Sequence, residues 1–368
     1  MLHAPPLPLV RRSETDPVYV IFTSGTSGSS RGALHSNRSA LHNVAGPAIR
    51  LGLRPDDVAY SFFPLFHVTA RSFVLGSAFW TGGAAVLRPK FSVSGFWDDV
   101  REHEVTWFAA MGAVMTFLLA QDPRSEDVQH AVRLVCAGSV PPQLGRDFIQ
   151  RFGVELLDIY GTTELGTVTC PHPGSWIPGT TGPAMDHFEV EVHDDEDLPV
   201  PAGVPGEIVV RPRRPDAMFR GYWGDHEATV KSLRNLWYHT GDAGALDDAG
   251  NLSFIDRKKD VIRRRGENIS SREIEAIINR HPQVIESAVY GVPSDLTEEE
   301  VMVAVVLVDS LSAPELLAWA MAEMPEFAVP RYVRVVETLP KTPSERVQKY
   351  KLREQGTVGD VYDRDCRS

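Results

Sequence analysis

Hydrophobic positions fall along the chain in three textures. Residues 1–17 are proline-rich and predict irregular structure. The run 18–22 is apolar and opens into a Gly/Ser/Thr loop, the pattern of a buried strand feeding a loop. From 39 to 185 short apolar runs alternate with helical spacing. Phe96, Trp97, Val100 and Val105 mark one face of a helix that begins after Ser94. Residues 134–136 and 156–159 read as buried strands. Strands that alternate with helices predict a parallel α/β sheet.

The second texture, 186–256, consists of short strands and turns at 189–192, 207–210 and 251–255. It predicts a small, mostly antiparallel β region. A basic stretch begins at Arg257, and beyond it lies an α+β pattern. Ser270 can cap a helix whose third residue, Glu273, reaches back, with Ile274, Ile277 and Ile278 on one face. Strands follow at 286–292, 301–308 and 332–336, with a helix over 314–324. These shifts divide the chain into a core domain, 1–256, and a C-terminal domain, 257–368.

Composition narrows the class. Among the 368 residues, 43% are hydrophobic and 23% charged, which fits globular domains and excludes disorder as the main state. A net charge of −12 argues against general nucleic-acid binding. Cys136, Cys170 and Cys366 lie far apart, forming neither a disulfide framework nor a zinc pattern, and fit a reducing compartment. The apolar stretch 72–87 is broken by glycines and is shorter than the roughly 20 residues of a spanning helix. With no visible leader, the expectation is a soluble cytoplasmic protein.

Three segments carry candidate chemistry. Residues 23–32, from Thr23 to Gly32, hold three glycines, several hydroxyls and Arg31. Glycines let backbone amides approach an anion, hydroxyls donate to its oxygens, and the guanidinium neutralises charge. The segment is neither a Walker loop nor a dinucleotide fingerprint. Its composition alone leaves an anion cradle and a flexible surface loop both open. Tyr160-Gly161-Thr162-Thr163-Glu164 follows a strand, where α/β folds place ligands. Its ring can stack on a base, its hydroxyls can hold phosphate and its carboxylate can hold magnesium. In Tyr238-His239-Thr240-Gly241-Asp242 the aspartate can grip ribose hydroxyls, although such turns are commonplace.

Taken together and in order, these segments resemble the adenylate-forming superfamily of acyl-CoA synthetases, luciferases and peptide-synthetase adenylation domains. The stretch Asp256-Arg257-Lys258-Lys259-Asp260, with Gly266 to Glu275, looks like the family's hinge region. Residues 339–346, Leu339 to Arg346, look like its C-terminal lysine motif. The part from Phe91 to Glu164 is most like the carnitine- or crotonobetaine-CoA and fatty-acyl-CoA ligase branch. The resemblance implies ATP-dependent activation of a carboxylic acid to an acyl-adenylate, followed by transfer to CoA.

The resemblance also implies residue roles. Thr23, Ser24, Gly25, Thr26 and Gly28, with Arg31, would cradle the β- and γ-phosphates. Gly138 and Ser139 would line the adenine site, and Tyr160 would stack on the base within Tyr160, Gly161 and Thr162. Thr163 would hold the α-phosphate and Glu164 the Mg²⁺, while Asp242 and Arg257 would bind ribose. Lys259 occupies the hinge position, and the C-terminal domain is expected to be mobile. His67 matches a position beside the acyl pocket, although a lone His in an apolar run is otherwise more often a core residue. Arg263, Gly266 and Glu267 fall where CoA would pass, in a basic patch with Arg264, Arg265, Lys258 and Lys259 that the resemblance assigns to the phosphates of ATP and CoA and whose bland readings are a solvated face or a nucleic-acid patch.

Three departures qualify the resemblance. Only 22 residues precede the glycine loop, where the family carries well over a hundred, so the expectation is a shortened large domain that is completed by a second chain, has an adapted fold, or belongs to a fragment. A homodimer mate or partner chain covering the exposed edge is one expected consequence. Arg31 replaces a lysine, a mild change. Arg346 replaces the adenylation lysine and keeps its charge but not its point geometry, and such a lost contact costs about 10²–10³ in rate. Two alternatives therefore stay open. One is an adenylating enzyme with an amine, a carrier protein or another acceptor. The other is a truncated, degenerate nucleotide-binding homologue that needs a partner chain.

Overall fold

The computed structural model describes residues 10–23, 30–138, 140–264, 267–294, 298–308, 311–342 and 347–365. Strand β1 (Pro17–Phe22) pairs antiparallel with β2 (Gly32–Ser36), so the glycine loop is the connection of a hairpin. Of the apolar run expected to be buried, Ile21 is buried but Phe22 is 69% exposed. The difference has a simple cause: a two-stranded hairpin has one covered face, whereas a central strand has two. Ser36 ends β2 and caps α1 (Asn37–Arg50), its side chain accepting from the Ser39 amide.

The middle of the chain builds a five-stranded parallel sheet. Its members are β3 (Val58–Ser61), β4 (Ala84–Leu87), β5 (Trp107–Met111), β6 (Leu134–Gly138) and β7 (Glu155–Asp158), in the order β4-β3-β5-β6-β7. Alternate residues enter different cores, as the period of two requires. Trp107, Ala109, Leu134, Cys136 and Leu157 join one cluster, and Phe108, Ala110, Val135, Ala137 and Leu156 the other. Helices Phe96–Glu102 and Pro142–Phe152 cover the second face with Phe96, Val100, Phe148 and Phe152. Burying each large aromatic or aliphatic group contributes roughly 1.5–3 kcal/mol, so this two-sided packing fixes the sheet firmly. The first of these helices ends at Glu102, and Val105 reaches the same core from the following turn.

Beyond the sheet, β8 (Tyr160–Thr162) and β9 (Gly166–Thr169) form a tight hairpin. An antiparallel region follows, with β10 (Phe188–His193), β11 (Gly206–Pro212), β12 (Leu233–Arg234), β13 (Trp237–Leu246) and β14 (Leu252–Arg257). Within it β13 pairs with β11, β12 and β14.

The remainder contains β15 (Ile262–Arg264), β16 (Glu267–Ile269) and helix Ser271–Ile278. After these come β17 (Val284–Pro293), β18 (Glu299–Leu307), β19 (Tyr332–Val335) and β20 (Tyr362–Asp363). Ser270 caps its helix by accepting from the Glu273 amide. The reciprocal two-way box forms instead at Ser312 and Glu315, ahead of helix Ala313–Glu323. Two apolar clusters draw on residues 33–254 and two on residues 262–361. Among the described residues no helix is long and apolar enough to cross a membrane.

Of the basic run, Arg263 is exposed but Arg264 leaves the surface. Arg264 is 1% exposed; its guanidinium pairs with buried Glu300 at 2.7 Å and donates to the Phe327 carbonyl oxygen. Removing one member of a buried pair strands the other charge, at about 3–5 kcal/mol, whereas replacing both with apolar groups is far milder. Urea unfolding of Arg264→Met should show a loss of about that size in the transition that includes β18, and Arg264→Met/Glu300→Leu should recover most of it.

Candidate active site

The C-terminal ends of β5, β6 and β7 open onto one cleft of ≈ 1060 Å³. Met111, Gly138 and Ile159 stand at those ends, with register pairs Met111↔Gly138 and Ala137↔Asp158 bringing them level. Open α/β sheets place ligands there because several loops converge beyond the strand ends. Among the described candidates, Thr23, Arg31, His67, Gly138, Tyr160, Gly161, Thr162, Thr163, Glu164, Asp242, Arg257 and Lys259 all line the cleft. Arg263 and Glu267 do not; both are exposed, and Arg263 pairs with Asp195 at 3.5 Å. Ser24, Gly25, Thr26, Gly28, Ser139, Gly266 and Arg346 lie outside the described residues.

The β8–β9 hairpin sets the first wall. A Cβ at Gly161 would overlap the Gly166 carbonyl oxygen, so the two strands close only around a glycine. Gly166 itself turns with φ +75°, a conformation side chains avoid. The turn leaves Glu164 8% exposed, its Oε1 accepting from the Tyr222 hydroxyl at 2.7 Å. Burial, with the Glu164 carboxylate adding to it, pushes the Tyr222 phenol up, so it stays a donor. His35, buried beneath the turn, donates from Nε2 to the Thr163 carbonyl oxygen at 3.0 Å, leaving Nδ1 to accept from Ser39 Oγ.

The opposite wall comes from β13 and β14. Asp242 and Arg257 are cross-strand partners, with Arg257 Nε 3.7 Å from Asp242 Oδ1. The Tyr160 hydroxyl donates to Asp242 Oδ2 at 2.8 Å, and its ring stacks on Phe254 at 5.6 Å between centroids. The carboxylate is thus held from both sides, with one face turned to the cleft. Gly241, at φ +70°, lets the chain turn between Thr240 and Asp242. Lys259 also lines the cleft, and burial there lowers its ammonium below the ordinary lysine value, with Arg257 and Arg353 acting in the same direction. At the loop base Thr23 and Arg31 close on each other, with Thr23 N donating to Arg31 O at 2.8 Å. Arg31 also pairs with Asp225 at 3.3 Å.

Several cleft residues were not singled out in the sequence. Tyr222, Phe254 and Asn43 belong to no recognised motif and reach the cleft only through the tertiary fold. Lys349 and Glu275 line it as a pair, 2.8 Å apart, and Lys349 Nζ also donates to Ser271 Oγ at 2.6 Å. Lys341, on the other side of Arg346 in sequence, pairs with Glu286 at 2.7 Å and does not line the cleft.

Glu164 suits a magnesium ion. Its carboxylate lines the cleft beside other acidic side chains, and magnesium binds through one or two carboxylates while keeping waters and phosphate oxygens. Among the described residues the one group of three metal-capable side chains, Asp99, Glu102 and His103, does not line the cleft.

A family model described as AMP-binding enzyme matches residues 3–223, and one described as AMP-binding enzyme C-terminal domain matches 273–346. The crotonobetaine/carnitine–CoA ligase of Salmonella heidelberg is 32% identical over 349 residues, which span 93% of this chain and 67% of that enzyme. Among solved structures, an anthranilate CoA ligase in complex with anthranoyl-AMP superposes with TM-score 0.85 at 25% identity, over 95% of this chain and 69% of its own. ATP-bound MatB from Rhodopseudomonas palustris gives 0.84 at 29% identity, over 94% of this chain and 69% of its own. The apo form of MatB gives 0.69 at 28% identity, over 95% and 70%.

His35 yields a pH prediction. Burial pushes its pKa down to about 4 from 6.5, opposed by the Thr163 carbonyl and aided by the Arg71 charge. Below pH 6.5 the unfolded chain takes up a proton that the folded one refuses until about pH 4. Stability from this residue is therefore complete above pH 6.5 and is lost as the pH falls toward 4. Urea unfolding at pH 7 and pH 5 should show His35→Asn losing about 2 kcal/mol less than the parent protein across that interval.

Proposed function

The chain belongs to the AMP-binding enzyme family, and on that premise we propose that it activates a carboxylic acid with ATP and passes the acyl group to coenzyme A. One observation carries the reading: Tyr160, Glu164, Asp242, Arg257 and Lys259, drawn from separated stretches of sequence, meet in a single cleft at the ends of three parallel strands. In the first step a carboxylate oxygen attacks the α-phosphorus of ATP. The bond to pyrophosphate breaks, and pyrophosphate leaves with the electron pair. In the second step the sulfur of CoA attacks the acyl carbon, AMP leaves, and the thiol proton passes to solvent.

The residues divide the work by their chemistry. Asp242 is oriented by Tyr160 and Arg257, and it accepts from ribose hydroxyls. Tyr160 offers a ring to the base, and Gly138 and Ser139 are proposed to line the adenine site. Thr163 and the segment Thr23, Ser24, Gly25, Thr26, Gly28 and Arg31 hold phosphate oxygens. Glu164 would hold magnesium, which neutralises phosphate charge. His67 borders the acyl end. Arg346 is proposed to act in place of the adenylation lysine, and Lys349 brings a cation to the cleft. Exposed Arg263, with Gly266 and Glu267, is the proposed approach for CoA. Exposed Ile49, Phe79 and Trp80 support a second copy or partner chain covering part of the core.

Residues 257–368 are proposed to turn as a unit about Lys259 between the two steps. The separate apolar clusters on either side support this, as does the better match to ATP-bound than to apo MatB.

Pyrophosphate release over a panel of carboxylic acids, with and without CoA, tests the activity. At least one acid should give release, with a thioester formed only when CoA is present, and Glu164→Gln should slow release on the order of 10²-fold. No release with any acid would refute the acid-activating reading, and a product indifferent to CoA would refute the acceptor. Lys259→Pro fixes φ near −65° at the pivot and should slow thioester formation more than adenylate formation, as paired single-turnover assays would read. Equal slowing of both steps counts against the pivot.

A further inference from the structure

Asn43 sits on α1 and is 3% exposed, yet among the described residues neither its Oδ1 nor its Nδ2 has a hydrogen-bond partner. It lines the cleft, alongside His67, Thr69 and Phe73. The backbone opposite is shaped to admit it. A Cβ at residue 166 would lie 2.5 Å from Asn43 Cγ and nearer still to Oδ1, so only glycine there leaves room for the carboxamide. Leaving a buried amide unpaired carries a desolvation cost that the fold alone gives no reason to bear.

We infer that Asn43 is a specificity-determining residue of the acyl pocket, and that the acid it selects carries a hydroxyl or carboxamide remote from the reacting carboxylate. The inference rests on the acid-activating reading and deepens it. A carboxamide that lacks both its donor and its acceptor partner is matched by a group that itself both donates and accepts. Phe73 and Ala109, which share the lining, favour hydrocarbon between that group and the carboxylate. A plain alkyl acid would bury the orphaned amide without relief. A hydroxyl- or carbamoyl-ended acid would satisfy it, so discrimination arises from the penalty on the wrong substrate as much as from the bond to the right one.

The test uses non-hydrolysable acyl-sulfamoyl adenosines with three tails: succinamoyl, 4-hydroxypentanoyl and 4-methylpentanoyl. Their affinities are read by calorimetry on the full chain, with AMP as the reference ligand. The intact protein should bind one of the two polar-ended tails about 10- to 100-fold more tightly than the 4-methylpentanoyl tail. Asn43→Leu should abolish or reverse that preference while AMP affinity holds. Its melting temperature should be equal or higher, because an apolar group replaces an unpaired amide. Asn43→Ser, a smaller change, should lose most of the preference and serves if the leucine variant does not fold. If AMP binds but no polar-ended tail is preferred, or the preference survives in the variants, the inference is overturned and the acid-activating reading stands. A marked drop in melting temperature in both variants also overturns it, since the amide would then have a structural role. If neither AMP nor any analogue binds, the acid-activating reading itself fails and the inference falls with it.

Discussion

Two backbone approaches around the β8–β9 turn constrain the whole site. At Gly161 the strand passes so near the Gly166 carbonyl that no side chain fits, and at Gly166 the space a Cβ would take is filled by Asn43. The turn therefore has one closed geometry. That geometry carries Tyr160 toward Asp242, leaves the Thr163 carbonyl on His35, and brings Glu164 to the Tyr222 hydroxyl. Everything on the first wall of the cleft follows from a turn that tolerates no substitution at either glycine. The second wall has its own constraint in the register of β13 with β14, which sets Asp242 opposite Arg257.

Much of this was legible from residue order alone. The alternation of apolar runs with helical spacing led to the parallel sheet, because a strand buried on both faces must be apolar nearly throughout and its connections must cross over. The change of texture after residue 186 marked the antiparallel region for a related reason: short strands joined by turns pair with their neighbours in sequence. The motif residues were legible because glycine and acidic positions at fixed spacing reflect backbone demands that few other sequences meet.

What stayed hidden depended on long-range packing. Nothing near Phe22 says that its strand ends as half of a hairpin. Arg264 read as part of a basic patch open to solvent or phosphate, yet its partner, Glu300, lies in β18 and is brought to it only by the fold. Asn43 occupies an unremarkable helical position, and its isolation becomes visible only when Gly166 is placed against it. Buried polar groups are the hardest to read from sequence, because their meaning lies in partners that sequence distance does not order.

The short acidic turn after β10 has a consequence for timing. Asp195 there reaches two cations on either side of Lys259: Lys258 at 2.9 Å and Arg263 at 3.5 Å. Both pairs are solvent-exposed, and such pairs contribute about 0–1 kcal/mol each and weaken as salt screens them. If Lys259 is the pivot, these contacts act as a light brake on its rotation. Thermal motion alone overcomes a brake of that strength, so turnover would need no separate energy input to release it. The dwell time in one orientation would instead track the ionic strength of the surrounding medium.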